Sequence, residues 1–125
     1  MNLILKDLSK KLIGGALQVH KTLGPGFIES IYETAPCVEL RYLRMRFEKQ
    51  KSINLHYRNM PVGIHRIDLI VENQIIVELK TVDTFERIHF AQIKSYLKAT
   101  SLKLGLLLNF NNPVFRGIAF CSLIF

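Results

Sequence analysis

The sequence has little cysteine, few acidic residues and no long apolar run. Its only cysteines, Cys37 and Cys121, lack the C-x-x-C spacing of a zinc knuckle and are too few for a disulfide framework. We therefore expect a reduced, cytoplasmic protein. No apolar run approaches the roughly 20 residues that a membrane-spanning helix needs. Lysines and an aspartate interrupt the N-terminal stretch, so a signal peptide is not expected there.

Acidic residues are outnumbered, since 10 Asp and Glu stand against 17 Lys and Arg and leave a formal net charge of +7. In a small domain this excess favours a polyanionic partner such as nucleic acid. A basic surface that only keeps the protein soluble accounts for the charge equally well. No helix-turn-helix, zinc-finger or aromatic sheet motif separates the two interpretations, so charge alone assigns no function.

The 125 residues contain no repeat and no linker, which predicts one domain over residues 1–125. Met60-Pro61 is expected to break the first strand. The predicted order α-α-β-β-β-α-β-β is typical of an α/β sandwich in which helices flank a central mixed sheet. Hydrophobic periodicity gives the approximate bounds 3–21, 27–43, 45–58, 64–71, 75–80, 85–100, 104–110 and 115–123.

The second predicted helix carries a proline in its interior. Pro36 removes a backbone hydrogen bond there and should bend or split the helix. The spacing of the apolar residues predicts that one side of this helix packs on the core. That side consists of Ile28, Ile31, Ala35, Val38 and Leu43.

The second and third predicted strands form a hairpin that brings two carboxylates together. A three-residue turn over 72–74 would pair Leu69 with Val77 and set Asp68 opposite Glu78, with about 4.5–5.5 Å between their Cβ atoms. Side chains alternate along a strand, so an apolar set should lie on the face away from these carboxylates. That set is Ile67, Leu69, Val71, Ile75, Val77 and Leu79.

Two like charges directly opposite on a strand pair are destabilising, and a hard divalent cation would offset their repulsion. Mg²⁺ keeps several waters and needs only one or two carboxylates plus a substrate phosphate. Lys80, on the same face as Glu78, would then polarise a water or steady the charge on a phosphate. An ion-paired surface cluster, in which Lys80 only neutralises Glu78, fits the same spacing, and spacing alone favours it.

Several motifs in order resemble the PD-(D/E)XK nuclease superfamily. Asp68 followed by Glu78-Leu79-Lys80 is similar to its D…E-x-K signature, and residues 26–32 resemble the motif of its small GxxExxY proteins. The resemblance covers about residues 19–110 and implies a restriction-endonuclease-like fold. It also implies a Mg²⁺ or Mn²⁺ site and a catalytic lysine. The implied metal ligands are Glu29, Asp68, Glu78 and the carbonyl of Leu79, and the implied catalytic residues are Asp68, Glu78 and Lys80.

Gln92 and Tyr96 resemble a Q-x-x-x-Y element that contacts substrate or supports the site in one nuclease branch. On a helical wheel both lie on the arc that should face the sheet, where a glutamine needs hydrogen-bond partners. A core glutamine satisfied by backbone is the alternative. Glu29 has a rival role in the first turn of its helix, where the dipole favours a carboxylate. His20 and His89 are expected to be structural rather than metal ligands.

These observations predict a metal-dependent nuclease that hydrolyses phosphodiester bonds of DNA or RNA. The alternative is a weak or inactive nuclease-fold protein that acts as a nucleic-acid- or partner-binding module. A third interpretation is a small structural protein whose charged cluster is only an ion-pair network. The expected partner is nucleic acid, and no membrane association is predicted. The apolar C-terminal tail and a free sheet edge are compatible with a homodimer.

Overall fold

The computed structural model describes residues 3–111 and the backbone of residues 118–122. The predicted order of helices and strands is confirmed, while the predicted strand residues 115–117 and 123 lie outside the described residues. In chain order the elements are α1 (Leu3–Leu23), α2 (Glu29–Tyr42), β1 (Phe47–Tyr57), β2 (Met60–Val71), β3 (Ile75–Lys80), α3 (Arg87–Thr100), β4 (Leu104–Asn109) and β5 (Ile118–Ser122).

The strands form one mixed sheet in the order β1-β2-β3-β4-β5. β3 and β4 are parallel, as a strand pair joined through a crossover helix must be, and the other neighbours are antiparallel. The predicted turn over 72–74 and the Leu69–Val77 pair are both confirmed. This is the α/β architecture with a mixed sheet that the sequence predicts. Within the described residues, none of the helices has the length and apolarity to cross a membrane.

The two faces of the sheet bury separate cores. One core fills the space between the sheet and the pair α1 and α2, and Leu12, Tyr32 and Leu106 are among its members. The other lies under α3 and includes Ile76, Ile93 and Leu107. Since β3 and β4 contribute to both cores, they are apolar on both faces, as is typical of central parallel strands.

The apolar side predicted for α2 is wrong in part, because Ala35 and Leu43 pack against the core whereas Ile28 and Val38 do not. Ile28 and Val38 are 71% and 58% exposed, and α2 instead buries a different set of side chains. α2 also runs unbroken through Pro36, so the predicted split does not occur. Apolar residues lie on both sides of this helix, and contact with α1 and the sheet decides which side is buried. The buried residues of α2 are Tyr32, Pro36, Cys37 and Leu40.

β2 starts earlier than predicted, because Met60-Pro61 does not break the β-structure. Arg58 and Asn59 both have a positive φ, 49° and 65° respectively. They form a tight two-residue turn between β1 and β2. Pro61 lies opposite His56 beside a register shift, where a strand tolerates the missing N–H. β1 and β2 therefore form a long hairpin.

Candidate active site

Asp68 lies at an interruption of the sheet. On the β1 side, the pairs Lys49–Leu69 and Lys51–Ile67 flank it, and Gln50, which faces it, has a φ of 52°. On the β3 side, the pairs run from Val71–Ile75 to Leu69–Val77 and do not reach Asp68. The carboxylate Oδ2 of Asp68 instead accepts a hydrogen bond of 2.9 Å from the backbone N–H of Leu79. The predicted Asp68–Glu78 strand pair is thus replaced by a side-chain contact across the gap.

The same interruption corrects the prediction that Ile67 and Leu69 lie on one face of the sheet. Ile67 packs in the core under α3, whereas Leu69 packs in the core under α1 and α2. Regular alternation would put both side chains on one side. The strand therefore changes the face that it presents at Asp68, opposite the positive φ of Gln50, while the pairing register on either side stays the same.

Glu78 is the most deeply buried acid of the cluster, with 2% of its surface exposed. Burial raises the pKa of Glu78 to about 10, helped by the hydrogen bond that its protonated carboxyl donates to Asp68 and by the negative charge of Asp68. The positive charge of Lys80 and the backbone N–H of Asp68 lower that pKa in part. Among the residues that the structure describes, none hydrogen-bonds to Glu78 Oε1. An unpartnered buried oxygen is costly unless something else binds it.

Lys80 follows on the same strand and is partly buried. Its positive charge lowers the pKa of both Glu78 and Glu33, so its side chain lies within electrostatic reach of the two acids. The strand end that carries it is fixed by pairing with Asn109. The Asn109 amide in turn holds the chain just beyond, accepting from the Val82 N–H at 3.1 Å and donating to the Val82 carbonyl at 2.7 Å.

Glu29 is not brought to the two carboxylates. It is exposed in the first turn of α2, where the helix dipole favours it. Glu33, one turn later, is closer to the site: burial raises its pKa, as do the charges of Asp68 and Glu29. Glu33 also lines a cleft of about 90 Å³ that includes Asp68 and Leu79. Helical spacing is a signal for Glu33, because it lies four residues from both Glu29 and the buried Cys37.

Tyr96 and Gln92 approach the same centre from α3. Burial raises the pKa of Tyr96 to about 12, and the charges of Glu78 and Asp68 add to the shift, while a side-chain hydrogen bond with Gln92 lowers it. The hydroxyl of Tyr96 thus lies near both carboxylates. Gln92 itself is exposed, which corrects its predicted place on a buried arc. An exposed amide beside a buried tyrosine can meet a molecule arriving from solvent.

His65 supports Tyr96 and was missed from the sequence. Its ring meets the Tyr96 ring edge-on at 4.9 Å, and its Nε2 lies 2.8 Å from the Ser95 hydroxyl. Nothing in the local pattern of β2 distinguishes this histidine, because the contact depends on how α3 crosses the hairpin. His89 instead accepts the Glu86 N–H at the start of α3.

The GxxExxY-like segment has a structural role at its tyrosine. The Tyr32 hydroxyl donates to the Gly24 carbonyl at 2.5 Å and accepts from the Phe27 N–H at 3.2 Å. The Tyr32 ring stacks on Phe110 with ring centroids 5.0 Å apart. The His20 ring also stacks on Phe110, with centroids 6.4 Å apart. Tyr32 therefore fixes the turn that starts α2, and His20 is a core residue.

The donor set fits a hydrated divalent cation. Within residues 3–111, whose side chains are described, no three His, Cys, Asp or Glu residues are close enough to form a protein-only metal cage. Mg²⁺ does not need one, since one or two carboxylates together with waters and substrate phosphates complete its shell. Asp68 and Glu78 supply two carboxylates side by side, and the unpartnered Oε1 of Glu78 is the kind of hard oxygen that such an ion binds.

A family model of the PD-(D/E)XK nuclease superfamily matches residues 6–119, which is most of the chain and includes every candidate site residue. Neither the curated proteins nor the solved structures contain a match to the chain.

Proposed function

Because the chain belongs to the PD-(D/E)XK nuclease superfamily, we propose that it hydrolyses phosphodiester bonds of DNA or RNA at Asp68, Glu78 and Lys80. The observation that carries the proposal is the buried Glu78 carboxyl beside Asp68, with one oxygen left without a hydrogen-bond partner in the described part of the chain. A structural ion-pair cluster has no need for such an oxygen. A metal-binding carboxylate does.

The proposed ligands of Mg²⁺ or Mn²⁺ are Asp68, Glu78 and the carbonyl of Leu79. Such an ion, when bound, lowers the pKa of a coordinated water and stabilises charge on the phosphate. Asp68 is held for this task by the Leu79 N–H. Burial disfavours the charged form of Glu78, and a cation bound beside the carboxyl would favour that form.

Lys80 is the proposed catalytic lysine. Its charge already acts on Glu78, and its ammonium group can donate hydrogen bonds to an attacking water or to a phosphate oxygen. Attack of the water oxygen on phosphorus breaks the bond to one ester oxygen, which leaves with a proton. Gln92 and Tyr96 position the substrate, which their place beside the carboxylates supports. Glu29 and Glu33 add negative charge on the α2 side of the site. From its exposed position, Glu29 would help to hold the metal ion through a bridging water.

We further place the protein with the GxxExxY group, in the cytoplasm, with nucleic acid as its partner and a homodimer as its proposed assembly. A weakly active or inactive binding module is the second candidate. It is favoured by one observation: Glu29 is exposed, and among the described residues no third acid joins Asp68 and Glu78 to hold a metal ion. Activity measurements separate the two functions.

The test is cleavage of mixed DNA and RNA substrates in Mg²⁺ or Mn²⁺. Asp68→Ala and Lys80→Ala should each abolish cleavage. Their matched controls, Asp7→Ala and Lys98→Ala, remove the same charges from exposed helix positions and should leave it unchanged. Cleavage that survives both site substitutions would contradict the proposal, as would folded wild-type protein with no metal-dependent cleavage of either substrate.

A further inference from the structure

A long two-stranded ribbon extends from the sheet next to the candidate site. β1 and β2 pair from Phe47–Val71 to Tyr57–Met60, whereas β3 pairs with β2 over Leu69–Val71. In the described part of the sheet, the rest of the hairpin continues as a ribbon of two strands. We call residues 49–67 the arm. From Ile67 to Met60 it spans about 23 Å at roughly 3.3 Å per residue.

The arm carries one sign of charge. Its 19 residues contain four Lys and Arg and no Asp or Glu, although the whole chain has 10 acids in 125 residues. Lys51 is paired with Glu48 at the base of the arm, at 2.8 Å. The remaining cations, Lys49, Arg58 and Arg66, are exposed. A ribbon from which carboxylates are absent is complementary to a polyanion.

The distal part of the arm also exposes apolar side chains. Met60, Val62 and Ile64 are each about two-thirds exposed, as is Tyr57, and Pro61 lies between the first two. The guanidinium of Arg58 lies 5.7 Å from the centre of the Tyr57 ring. Exposed apolar residues interleaved with cations are used by nucleic-acid-binding proteins that press a wedge against base edges or between base steps.

The shape of the arm selects among polyanions. The major groove of B-form DNA, about 12 Å wide, admits a two-stranded β-ribbon. The major groove of an RNA duplex is deep and too narrow to be read in this way. A bare single strand offers no groove. The arm therefore fits double-stranded DNA better than either form of RNA.

The arm is continuous with the candidate site. β2 leads from Arg66 through Ile67 directly to Asp68, and His65 packs on Tyr96 and Ser95 of α3. The base of the arm is thus fixed to the helix that carries the substrate-positioning residues. A duplex that lies along the arm has its backbone near Asp68.

We propose that the arm binds in a groove of double-stranded DNA and delivers the duplex to the Asp68–Glu78 centre. The delivery part rests on the proposed nuclease function, whereas the binding part does not. Binding is therefore measured in EDTA, where no cleavage occurs. A protein that binds duplex DNA through the arm but never cleaves it would support the arm and overturn the nuclease.

The first experiment compares Arg58→Gln/Arg66→Gln with Lys6→Gln/Lys10→Gln, which removes the same charge from exposed positions of α1. Affinity for a labelled duplex of about 20 base pairs is measured by fluorescence anisotropy over a range of salt concentrations. The arm variant should bind at least about tenfold more weakly, and the slope of log K against log salt should fall by about 2. The α1 variant should retain the wild-type slope.

The second experiment tests the apolar tip with Met60→Ser/Val62→Ser. This variant should bind duplex DNA more weakly while the salt slope stays at the wild-type value, because no charge is lost. Circular dichroism confirms that each variant is folded.

Three results would overturn the proposal. One is equal loss of affinity in the arm and α1 variants. Another is tighter binding of single-stranded DNA or duplex RNA than of duplex DNA by the wild type. The third is unchanged DNA affinity in the arm variants together with lost self-association or lost binding to anionic vesicles, which would make the arm a protein- or membrane-binding element.

Discussion

Glu78→Gln is expected to make the metal-free protein more stable at neutral pH. The folded protein raises the pKa of Glu78 from 4.5 to about 10, chiefly through burial. Between these values the folded state holds a proton on Glu78 that the unfolded chain does not hold. Since the folded state then binds more protons, stability is greatest below the unfolded pKa and falls as pH rises through this window. Glutamine has the same shape and no charge to lose.

The size of the effect follows from the pH. At pH 7 the wild type must keep Glu78 protonated 2.5 pH units above its unfolded pKa of 4.5, which costs about 3 kcal/mol at roughly 1.36 kcal/mol per unit. The hydrogen bond that protonated Glu78 donates to Asp68 offsets part of this cost. We therefore expect Glu78→Gln to gain about 1–3 kcal/mol at pH 7 and well under about 1 kcal/mol at pH 5.

Urea unfolding in EDTA at several pH values between 5 and 8 measures the gain. Asp7→Asn, at an exposed position of α1, is the matched control and should show no comparable pH-dependent gain. Added Mn²⁺ should stabilise the wild type and not Glu78→Gln. The difference between their free energies of unfolding should therefore become smaller. A gain that does not depend on pH, or a loss at every pH, would refute the reasoning that burial and Asp68 hold Glu78 protonated.

Two further predictions concern stability outside the site. Arg44 follows the C-cap of α2 with a φ of 58°, so Arg44→Gly should raise the free energy of unfolding by about 1 kcal/mol in thermal or urea unfolding. An equal gain from Arg44→Ala would contradict this conformational explanation. Tyr32→Phe removes hydrogen bonds to Gly24 and Phe27 and should cost about 1–2 kcal/mol, with faster amide exchange at Phe27; unchanged exchange would show that the hydroxyl does not hold the turn.

The fold was largely predictable from the sequence, because its elements differ in the period of their apolar residues. The hairpin around 72–74 shows the strength of that signal: only the register with Leu69 opposite Val77 keeps apolar side chains on common faces. The buried run of β4 likewise identified a strand covered on both sides.

Errors arose where tertiary contacts override local patterns. α2 has apolar residues on both sides, and packing in the core shared with α1 and the sheet buries Tyr32 and Leu40 while Ile28 stays in solvent. At Asp68 the assumption of regular alternation fails, because an irregular strand turns Ile67 toward α3. The gap in pairing lies opposite Gln50, which has a positive φ, and the alternation of β2 alone does not predict it.

The candidate site likewise combines residues that local spacing predicts with residues that only tertiary packing brings together. Asp68, Glu78 and Lys80 follow from the spacing on one hairpin, and Gln92 and Tyr96 from one helix. Glu33 and His65 were missed, since their proximity to the site depends on how α2 and α3 pack against the sheet. The roles of all these residues in catalysis stay predictions until activity is measured.

The central claim is that Asp68 and Glu78 bind a divalent metal ion. Crystals grown or soaked with Mn²⁺, with anomalous diffraction recorded near the manganese edge, test it most directly. We predict an anomalous peak bonded to oxygens of both carboxylates, with Glu78 Oε1 as one ligand, and no such peak in Asp68→Ala. Saturating Mn²⁺ that gives no peak between these two carboxylates, or a peak only elsewhere on the protein, would contradict the account.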